Sequence, residues 1–575
     1  MAVGWWEVYC GSMWFPMRWF SSVLVLACCF VSERALLGAS IRFNQIQVIG
    51  THNSYHIAPE PAMMALIEQR GKGLAASIDY THRPLWEQFS ILGIRQIELD
   101  VFADPEGGHY ANPAGRKLVE LANLGPLEAH DPKGRLNTPG LKVLHVTDFD
   151  YRTRVYTFVD ALQEIRSWSD ENPRHIPVTV LVEVKEASKT PGLTPPIPFD
   201  ATQLDEIDRE IRSVFSAERL ITPDWVRGDR STLREAVLED GWPLLDEVRG
   251  RVLFALDNGG SIRDHYLAGH PSLEGRVLFV SVVADHPAAA FMKINDPIQD
   301  GDRIKAAVRS GFIVRTRADS PTRHARENDT SQRERALSSG AQFVSTDFPE
   351  PEMRYSSYQV GFEGNRVARP NPLFEALETT AVPSVREWIH LSGAKRKELW
   401  QNPFSWGRVQ FVDDEIRLDS ERNFMVALNN DYADFVLELE AIVPSGNSGI
   451  FFRCQEGEKK LLGYQAEIDL SERQYSGGLY DNTGRGFLVP KKDDKAALAA
   501  FKERQKGSMR EGEWNRYRIE CFGNRIRVAI NDHWITDIED SAHRQGLIGL
   551  QHHGGEATYR FRNIRLLDLG GTTKP

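Results

Sequence analysis

Gln96–Val101 reads QIELDV and sets two carboxylates, Glu98 and Asp100, among apolar residues. Val178–Lys185 reads VTVLVEVK and repeats the pattern with Glu183 and Lys185. Side chains two positions apart on a strand lie on the same face. Nearly continuous apolar runs are typical of strands buried on both faces. The two segments therefore predict buried strands that each carry a pair of charged side chains on one face.

Similar runs recur from residue 41 to about residue 350, with helix-like stretches between them. The predicted strands are Ile46–Ile49, Ile94–Val101, Leu141–Val146, Val178–Val184, Arg251–Leu256, Val277–Val283, Phe312–Thr316 and Gln342–Ser345. Eight strands with intervening helices predict an α/β fold, the (β/α)8 TIM-like barrel. An open doubly wound sheet is the alternative, but no glycine-rich phosphate-binding turn follows the first strand.

Polar residues cluster where the predicted strands end, which is where barrel enzymes carry their active sites. The first strand runs into His52 and Asn53, the third into His145, the fifth into Asp257 and the last into Asp347. Taken singly, such a histidine is more often structural, and each charged pair could be a solvent-facing surface pair. All of them lie at the same end of a strand, which favours one shared site.

Buried carboxylates need a cation or strong donors close by. An amide oxygen from Asn53 with the carboxylates of Glu98, Asp100 and Glu183 is a set of hard oxygen ligands, which suits Ca²⁺ better than Mg²⁺ or zinc. Two histidines from different strands would supply the base and acid for displacement at phosphorus. Lys185 would give a fixed positive charge to the phosphate oxygens.

Several of these motifs together resemble the Ca²⁺-dependent phosphatidylinositol-specific phospholipase C family. The resemblance covers residues 41–372 and rests on Asn44–Tyr55, Gln96–Val101, Leu144–Val146, Leu181–Lys185 and Phe343–Pro351. It implies a hydrolase that cleaves a phospholipid or another phosphodiester through a cyclic phosphate, with Ca²⁺ as cofactor and a membrane surface as a further partner.

The same resemblance implies a role for individual residues. His52 becomes the general base and His145 the general acid. The calcium ligands would be Asn53, Glu98, Asp100 and Glu183. We expect Lys185, Asp257 and Asp347 to face the substrate.

Some features depart from the family pattern and leave alternatives open. A long insertion at about 105–138 carries His109 and His130, either of which could compete with His145 for the role of acid, and His109 is the more serious rival. The fifth strand has no lysine, which disfavours polyphosphorylated headgroups. Glycerophosphodiester phosphodiesterases and sphingomyelinase D share barrel and chemistry, so either substrate class is an alternative. A catalytically inactive binding module is another, against which the intact His52 and His145 argue.

Length and composition limit the number of domains and the classes of binding partner. The chain of 575 residues is long enough for two domains. With 69 basic and 80 acidic residues, it has no cationic surplus for general nucleic-acid binding. Residues 1–39 read as a signal peptide, or as an uncleaved anchor, and Cys28 lies in a weak lipidation-site pattern. We therefore expect an exported protein.

The C-terminal half is rich in short alternating strands. The predicted strands are Asp434–Ile442, Gly449–Cys454, Tyr464–Leu470, Asn515–Phe522, Arg525–Ile530, Leu547–His552 and Tyr559–Leu566. Such strands with turn signals between them predict an all-β sandwich. We expect the barrel domain at 40–372, a linker at 373–384 and the sandwich at 385–570. Cys454 and Cys521 could form a disulfide or be buried thiols.

This half resembles the 3-keto-disaccharide hydrolase family, which has a concanavalin-like jelly-roll fold. The resemblance rests on Asn447–Arg453, Gly512–Asn515, Gly546–Gln551 and Phe561–Ile564. It implies glycoside cleavage or carbohydrate binding, and either could be the main function of the protein. Our candidate residues are Gln465, Glu467, Asp469 and Trp514. The first three share a strand face, which could equally be an ordinary polar surface. A Lys- and Ala-rich insertion at about 491–510 predicts a solvated helix without catalytic residues.

Overall fold

A computed structural model of the protein describes residues 41–186, 193–363, 366–374, 388–458 and 460–570. The predicted leader at 1–39, and the predicted linker from residue 375 onward, lie outside the described residues. Over the described ranges, no helix combines the length and the apolar character needed to cross a bilayer.

The N-terminal domain is built on a mostly parallel sheet. Its strands are β1 Ile46–Thr51, β2 Gln96–Phe102, β3 Lys142–Val143, β4 Val178–Val184, β5 Leu220–Ile221, β6 Val252–Leu256, β7 Leu278–Val280, β8 Phe291–Lys293, β9 Ile313–Arg317, β10 Phe343–Thr346 and β11 Ala368–Pro370. The central strands are buried along their whole length, as their apolar runs predict.

The parallel strands form a closed ring in the order β1, β2, β4, β6, β7, β8, β9 and β10. A single parallel bridge between Ser281 and Phe291 links β7 to β8, and β10 pairs with β1. The prediction of an eight-stranded TIM-like barrel is thus confirmed. Gly50 allows β1 and β2 to approach closely, because a Cβ there would lie 2.0 Å from the side-chain oxygen of Gln96.

One predicted strand was assigned wrongly, and one strand of the ring was missed. The segment Leu141–Val146 contributes only the two-residue β3, which pairs antiparallel with β2 and is not a member of the ring. His145 consequently lies on a connecting segment. The missing member of the ring is Phe291–Lys293, which is too short to stand out from the apolar residues Ala288–Ala290 before it.

Helices cover the outside of the barrel. They are α1 Pro61–Arg70, α2 Leu74–Ser77, α3 Leu85–Ser90, α4 Ala114–Leu121, α5 Phe158–Glu171, α6 Ala201–Val214, α7 Pro223–Arg227, α8 Leu233–Glu239, α9 Leu245–Val248, α10 Gly260–Leu267, α11 Gly301–Arg309, α12 Arg323–Arg326 and α13 Ser331–Ser338. Thr157 and Asp200 cap α5 and α6 by accepting backbone N–H groups of the first turn. The apolar stripe of each, such as Leu162 and Ile165 in α5, packs against the strands.

The C-terminal domain is a sandwich of two antiparallel sheets, as the sequence predicts. Its strands are β12 Ile389–His390, β13 Trp400–Gln401, β14 Arg408–Val412, β15 Glu415–Ser420, β16 Phe424–Leu428, β17 Phe435–Ile442, β18 Asn447–Gly457, β19 Lys460–Asp469, β20 Leu479–Asp481, β21 Gly486–Val489, β22 Asn515–Phe522, β23 Arg525–Ile530, β24 His533–Glu539, β25 Leu547–His552 and β26 Gly555–Asp568. One sheet has the order β14-β15-β26-β17-β22-β23-β24, and the other β13-β16-β25-β18-β19-β20-β21.

Between the two sheets lies a single apolar core. Cys454 and Cys521 belong to it as free, buried thiols, so no disulfide joins them. The predicted insertion forms one helix, α14 Lys495–Gln505, which buries Phe501.

Buried charge joins the two domains. The Arg83 guanidinium of the barrel lies between Glu350 of the barrel and Glu520 of β22, with nitrogen–oxygen distances of 2.5 Å to each. Arg525 of β23 donates to Glu87 of α3 at 2.5 Å. Beside these pairs, the rings of Trp86 and Phe522 lie 3.9 Å apart. The sandwich is therefore attached to the loop and helix that follow the first barrel strand.

The substitution Glu520→Gln tests this attachment. Removing one partner of a buried ion pair leaves an uncompensated charge, so we expect the free energy of unfolding to fall by about 3 kcal/mol at pH 7. Although burial alone would raise it, Arg83 and its neighbouring arginines hold the pKa of Glu520 far below its ordinary value. A carboxylate with a depressed pKa stabilises the fold above its ordinary pKa and loses this effect as the pH falls below it.

Denaturant unfolding at pH 7 and pH 4 measures both effects. Glu539→Gln, an exposed change on β24 of the same sheet, is the matched control. We expect the gap between Glu520→Gln and wild type to narrow at pH 4. An equal gap at both pH values, or no gap at pH 7, would contradict this role of Glu520.

Candidate active site

The segment after β1 makes a tight turn at the mouth of the barrel. His52 donates its backbone N–H to the Thr346 carbonyl, and Ser54 donates to that of Glu98. Between them, Asn53 adopts a φ of 45°, a left-handed conformation that asparagine tolerates better than most residues. The turn thereby places the side chains of His52 and Asn53 beside the ends of β2 and β10.

The His52 ring is held between two carboxylates. Its Nδ1 lies 2.8 Å from Asp347 Oδ1 and its Nε2 lies 3.5 Å from Glu98 Oε1. Arg317 holds the other oxygen of Asp347 at 2.8 Å. Burial, followed by the charge of Arg317, lowers the pKa of His52 to about 3. The imidazole is therefore neutral at neutral pH, with a proton on the nitrogen facing Asp347 and a lone pair at Nε2.

Asp347 stays ionised in this arrangement. Its burial would raise the pKa, but the positive charge of Arg317 and the hydrogen bond from His52 hold that pKa well below its usual range. A buried carboxylate that accepts the Nδ1 proton fixes one tautomer of the imidazole and orients the ring. This is the arrangement of a general base.

Next to His52, three carboxylates converge. Oxygens of Glu98, Glu183 and Asp257, from β2, β4 and the end of β6, lie within 4.8 Å of one another. Asp100 adjoins this group, because Lys185 Nζ lies 2.9 Å from both Asp100 and Glu183. The strand alternation that the sequence shows is what directs these side chains to one place.

Burial makes this group of carboxylates costly to ionise. It raises the pKa of Glu98 to about 8, although Arg315 at 2.5 Å opposes the shift. It also raises the pKa of Asp100 to about 7, against the charge of Lys185. Lys293 donates to Asp257 at 2.5 Å. Three cationic side chains thus share the charge of four acids, and a further cation would complete the balance.

The donor set fits a hard divalent cation. The Asn53 amide donates to the Tyr80 hydroxyl at 3.1 Å, while its buried oxygen has no hydrogen-bond partner within the described residues. One oxygen of Asp257 is likewise buried and has no hydrogen-bond partner within the described residues. Unsatisfied buried oxygens beside three clustered carboxylates are what a Ca²⁺ or Mg²⁺ site presents, since both ions bind oxygen ligands.

A second histidine lies on the segment after β3. His145 donates from Nδ1 to Asp150 Oδ2 at 2.6 Å, and a fifth of its side chain is exposed. His109, the rival candidate, lies elsewhere, with its Nε2 on the carbonyl of Pro195 at 2.8 Å. His145 is thus the candidate with a carboxylate partner.

Several residues of this site were missed in the sequence. Arg315 and Arg317 alternate on β9 in the same way as the acidic pairs on β2 and β4, so their pattern could have revealed them. Asp150 and Lys293 gave no such signal, because they lie on a connection and on a three-residue strand.

On the sandwich, the candidates separate into two places. Gln465, Glu467 and Asp469 share a face of β19, and Glu467 accepts from Gln465 and from Asn447 at 2.9 Å each. Trp514 precedes β22 of the opposite sheet, where its ring lies 4.1 Å from the Arg562 guanidinium. The structure thus brings the first three together, and Trp514 packs against a different surface.

Two family models match this chain, each over a different region. The family model for Ca²⁺-dependent phosphoinositide phospholipase C matches residues 41–372. That for the 3-keto-alpha-glucoside-1,2-lyase-like domain matches residues 384–567. No curated protein matches the chain.

Solved structures resemble each region at low identity. A calcium-dependent phosphoinositol-specific phospholipase C from Pseudomonas sp is 16% identical, covers 58% of this chain and 96% of its own, and has a TM-score of 0.34. One from Streptomyces antibioticus is 17% identical over 53% of this chain and 95% of its own, at a TM-score of 0.33. A putative glycosyl hydrolase from Parabacteroides distasonis is 19% identical over 31% of this chain and 98% of its own, at a TM-score of 0.24.

A divalent cation should stabilise the folded barrel through the carboxylate cluster. At a concentration a hundred times its dissociation constant, it should add about 2.7 kcal/mol to the free energy of unfolding. Asp257→Asn should weaken this effect, because it removes one carboxylate of the cluster. Thermal unfolding during titration with calcium or magnesium measures the shift.

Asp285→Asn, an exposed acid on the connection between β7 and β8, is the matched control and should respond as wild type does. An identical cation-induced shift in wild type and Asp257→Asn would contradict the assignment of the cluster as a metal site.

Proposed function

The chain belongs to the Ca²⁺-dependent phosphoinositide phospholipase C family through residues 41–372, and on that premise we propose that its barrel cleaves a phosphodiester with His52 as general base and His145 as general acid. The observation that carries the proposal is the His52 ring, neutral and held by Asp347, with its Nε2 facing the carboxylate cluster. No other histidine within the described part of the chain combines these features.

The cation that fits the cluster is Ca²⁺. The residues that would hold it are Asn53, Glu98, Asp100 and Glu183, together with Asp257, whose side chain lies close to Glu98 and Glu183. An amide oxygen with several carboxylates is a ligand set that the larger, more flexibly coordinated Ca²⁺ accepts more readily than Mg²⁺. When bound, the ion supplies positive charge to phosphate oxygens as negative charge develops on them.

His52 and His145 divide the proton transfers. His52 Nε2 takes the proton of a hydroxyl next to the phosphate, and that oxygen forms a bond to phosphorus. The bond from phosphorus to the departing alkoxide breaks, and His145 gives that oxygen a proton from Nε2. A cyclic phosphate and an alcohol result, with the proton count balanced between the two imidazoles. Lys185, already paired with Asp100 and Glu183, keeps positive charge beside the phosphate.

A lipid substrate suits the surface around the site. Val146, Val283 and Ile298 are exposed aliphatic side chains. Val283 and Ile298 follow the C-terminal ends of β7 and β8 at the mouth of the barrel, and Val146 is next to His145 in the chain. Single exposed apolar residues are common, but a group at one end of a molecule favours contact with an apolar surface. We propose that this end faces a membrane and that the protein is exported to reach it.

The direct test uses the full chain with phosphatidylinositol vesicles. We expect calcium-dependent turnover with a cyclic inositol phosphate as the first product, detected by phosphorus NMR. His52→Ala should lower kcat by about 100-fold or more, since general base catalysis contributes at least that much. His265→Ala, an exposed histidine of α10, should leave kcat unchanged.

The products also separate the related chemistries. Release of glycerol 3-phosphate or choline from their phosphodiesters would support a glycerophosphodiesterase or a sphingomyelinase D activity in place of this one. Full activity of His52→Ala, or turnover unchanged by chelation of calcium, would contradict the proposed mechanism.

A second function is favoured by the face of β19. Glu467 is buried, and burial raises its pKa to about 7. For Asp469, burial is outweighed by the bonds from Arg473 and Ser471, so its pKa is lowered. Two neighbouring carboxyl groups whose pKa values are shifted in opposite directions can serve as proton donor and ionised partner. We propose that this face binds or processes a carbohydrate, consistent with the family match of the region.

Glu467→Gln tests this second function. If Glu467 donates a proton, wild-type cleavage of a 3-keto-disaccharide should decline as the pH rises through about 7, because the acid form is lost, and Glu467→Gln should lose most activity at all pH values. Glu456→Gln, an exposed acid on the adjacent strand, is the control. Wild-type rates in Glu467→Gln would contradict this role. Binding without cleavage, measured calorimetrically, would make the face a carbohydrate-binding site only.

A further inference from the structure

His56 is a fully buried histidine for which the proposed reaction has no direct use. It ends the turn that begins at His52, and its backbone N–H donates to the Asn53 carbonyl at 2.9 Å. Its ring packs against that of Tyr80, with centroids 4.5 Å apart. The residue therefore occupies the space between the proposed cation site and the segment that carries His145.

Both ring nitrogens of His56 face acceptors. Nδ1 lies 3.0 Å from the backbone carbonyl oxygen of Tyr80, and Nε2 lies 2.8 Å from both oxygens of Asp150. A carbonyl oxygen can only accept a hydrogen bond, so Nδ1 must carry a proton. A carboxylate likewise only accepts, so Nε2 carries one too. His56 is then a buried imidazolium.

Asp150 provides the matching negative charge. Burial alone would raise its pKa, but His56 and His145 hold that pKa well below its usual range. A buried charge is tolerated when it is paired and hydrogen-bonded, and the His56–Asp150 pair meets both conditions. The pair is neutral overall.

The same carboxylate orients the proposed acid. Asp150 Oδ2 accepts from His145 Nδ1 at 2.6 Å, and the His56 and His145 rings are nearly perpendicular, with centroids 5.9 Å apart. With Nδ1–H donated inward, His145 presents Nε2 on its other edge.

A metal ion is the competing explanation, since ligand atoms of His56, His145 and Asp150 lie within 4.8 Å of one another. The hydrogen bonds argue against it. The ring nitrogens of His56 and both oxygens of Asp150 have partners, whereas the cluster around Glu98 includes buried oxygens without any, among the described residues. Hydrogen bonds among the three residues therefore account for their arrangement without a metal ion.

We infer that His56 is a positioning residue for proton donation: its buried imidazolium holds Asp150, and Asp150 holds His145 with Nε2 directed at the departing oxygen. This inference rests on the proposed phosphodiester cleavage. In the step it serves, the phosphorus–oxygen bond to the leaving alkoxide breaks, and the His145 Nε2 proton moves to that oxygen. His56 and Asp150 keep their protonation states throughout.

Two substrates with different leaving groups test this role. An alkoxide, as in phosphatidylinositol, needs a proton as it departs, whereas the p-nitrophenolate of an inositol p-nitrophenyl phosphate is stable without one. We expect His56→Gln to lower kcat by about 100-fold on the lipid, in the range of general acid catalysis. It should change kcat little on the aryl substrate, and His145→Ala should show the same selectivity.

His175→Gln is the matched control, because His175 is also buried and hydrogen-bonded but lies before β4, at the opposite end of the barrel strands. Any effect of that change should be equal on both substrates. Equal losses on both substrates in His56→Gln would overturn the positioning role and leave the proposed function standing. A wild-type protein inactive on both substrates would overturn the two together.

Nitrogen-15 NMR of the wild-type protein tests the charge state without an activity assay. We expect two ring N–H signals from His56 at neutral pH, and the loss of this signature in Asp150→Asn. A single protonated ring nitrogen, or a stoichiometric transition metal bound by His56 and His145, would overturn the inference. This measurement also applies if His56→Gln fails to fold.

Discussion

The electrostatic cost of burying acidic groups at one mouth of the barrel is the constraint on which this site depends. Glu98, Glu183 and Asp257 lie closer together than their charges allow without compensation. Arg315 and two lysines offset part of this negative charge. The pKa values of Glu98 and Asp100 are still raised, so the compensation is incomplete. A cation bound there would lower both pKa values and place positive charge beside the neutral His52 ring.

His52 and His145 are each oriented by a buried carboxylate, and the two carboxylates have different neighbours. Asp347 is held by a permanent guanidinium, Arg317, and orients a His52 that is neutral and basic at Nε2. Asp150 is held by another imidazole, His56, and orients His145 by accepting from its Nδ1. The sandwich is connected to the same region, because Arg83 pairs with Glu520 and also with Glu350, three residues beyond Asp347. The second domain thus contacts the first close to this site.

Much of this arrangement could be predicted from the sequence, for physical reasons. Alternation on β2 and β4 directs Glu98 and Glu183 to one side, and burial on both faces gives these strands the short apolar runs typical of parallel sheets. The failures have physical causes too. The ring strand that the sequence did not predict, β8, is three residues long, and β3 pairs only with the end of β2. Asp150 and His56 lie on two different connecting segments and contact each other there. Such a contact leaves no periodic pattern in the sequence.

The most direct measurement is crystallographic: anomalous diffraction from crystals grown with calcium and phosphatidylinositol headgroup. We predict one ion with oxygens of Glu98, Glu183 and Asp257 at 2.3–2.6 Å, the usual range for calcium, and His52 Nε2 within hydrogen-bonding reach of an inositol hydroxyl. Density for an ion among His56, His145 and Asp150, or carboxylates of the cluster left without any ion at saturating calcium, would contradict it.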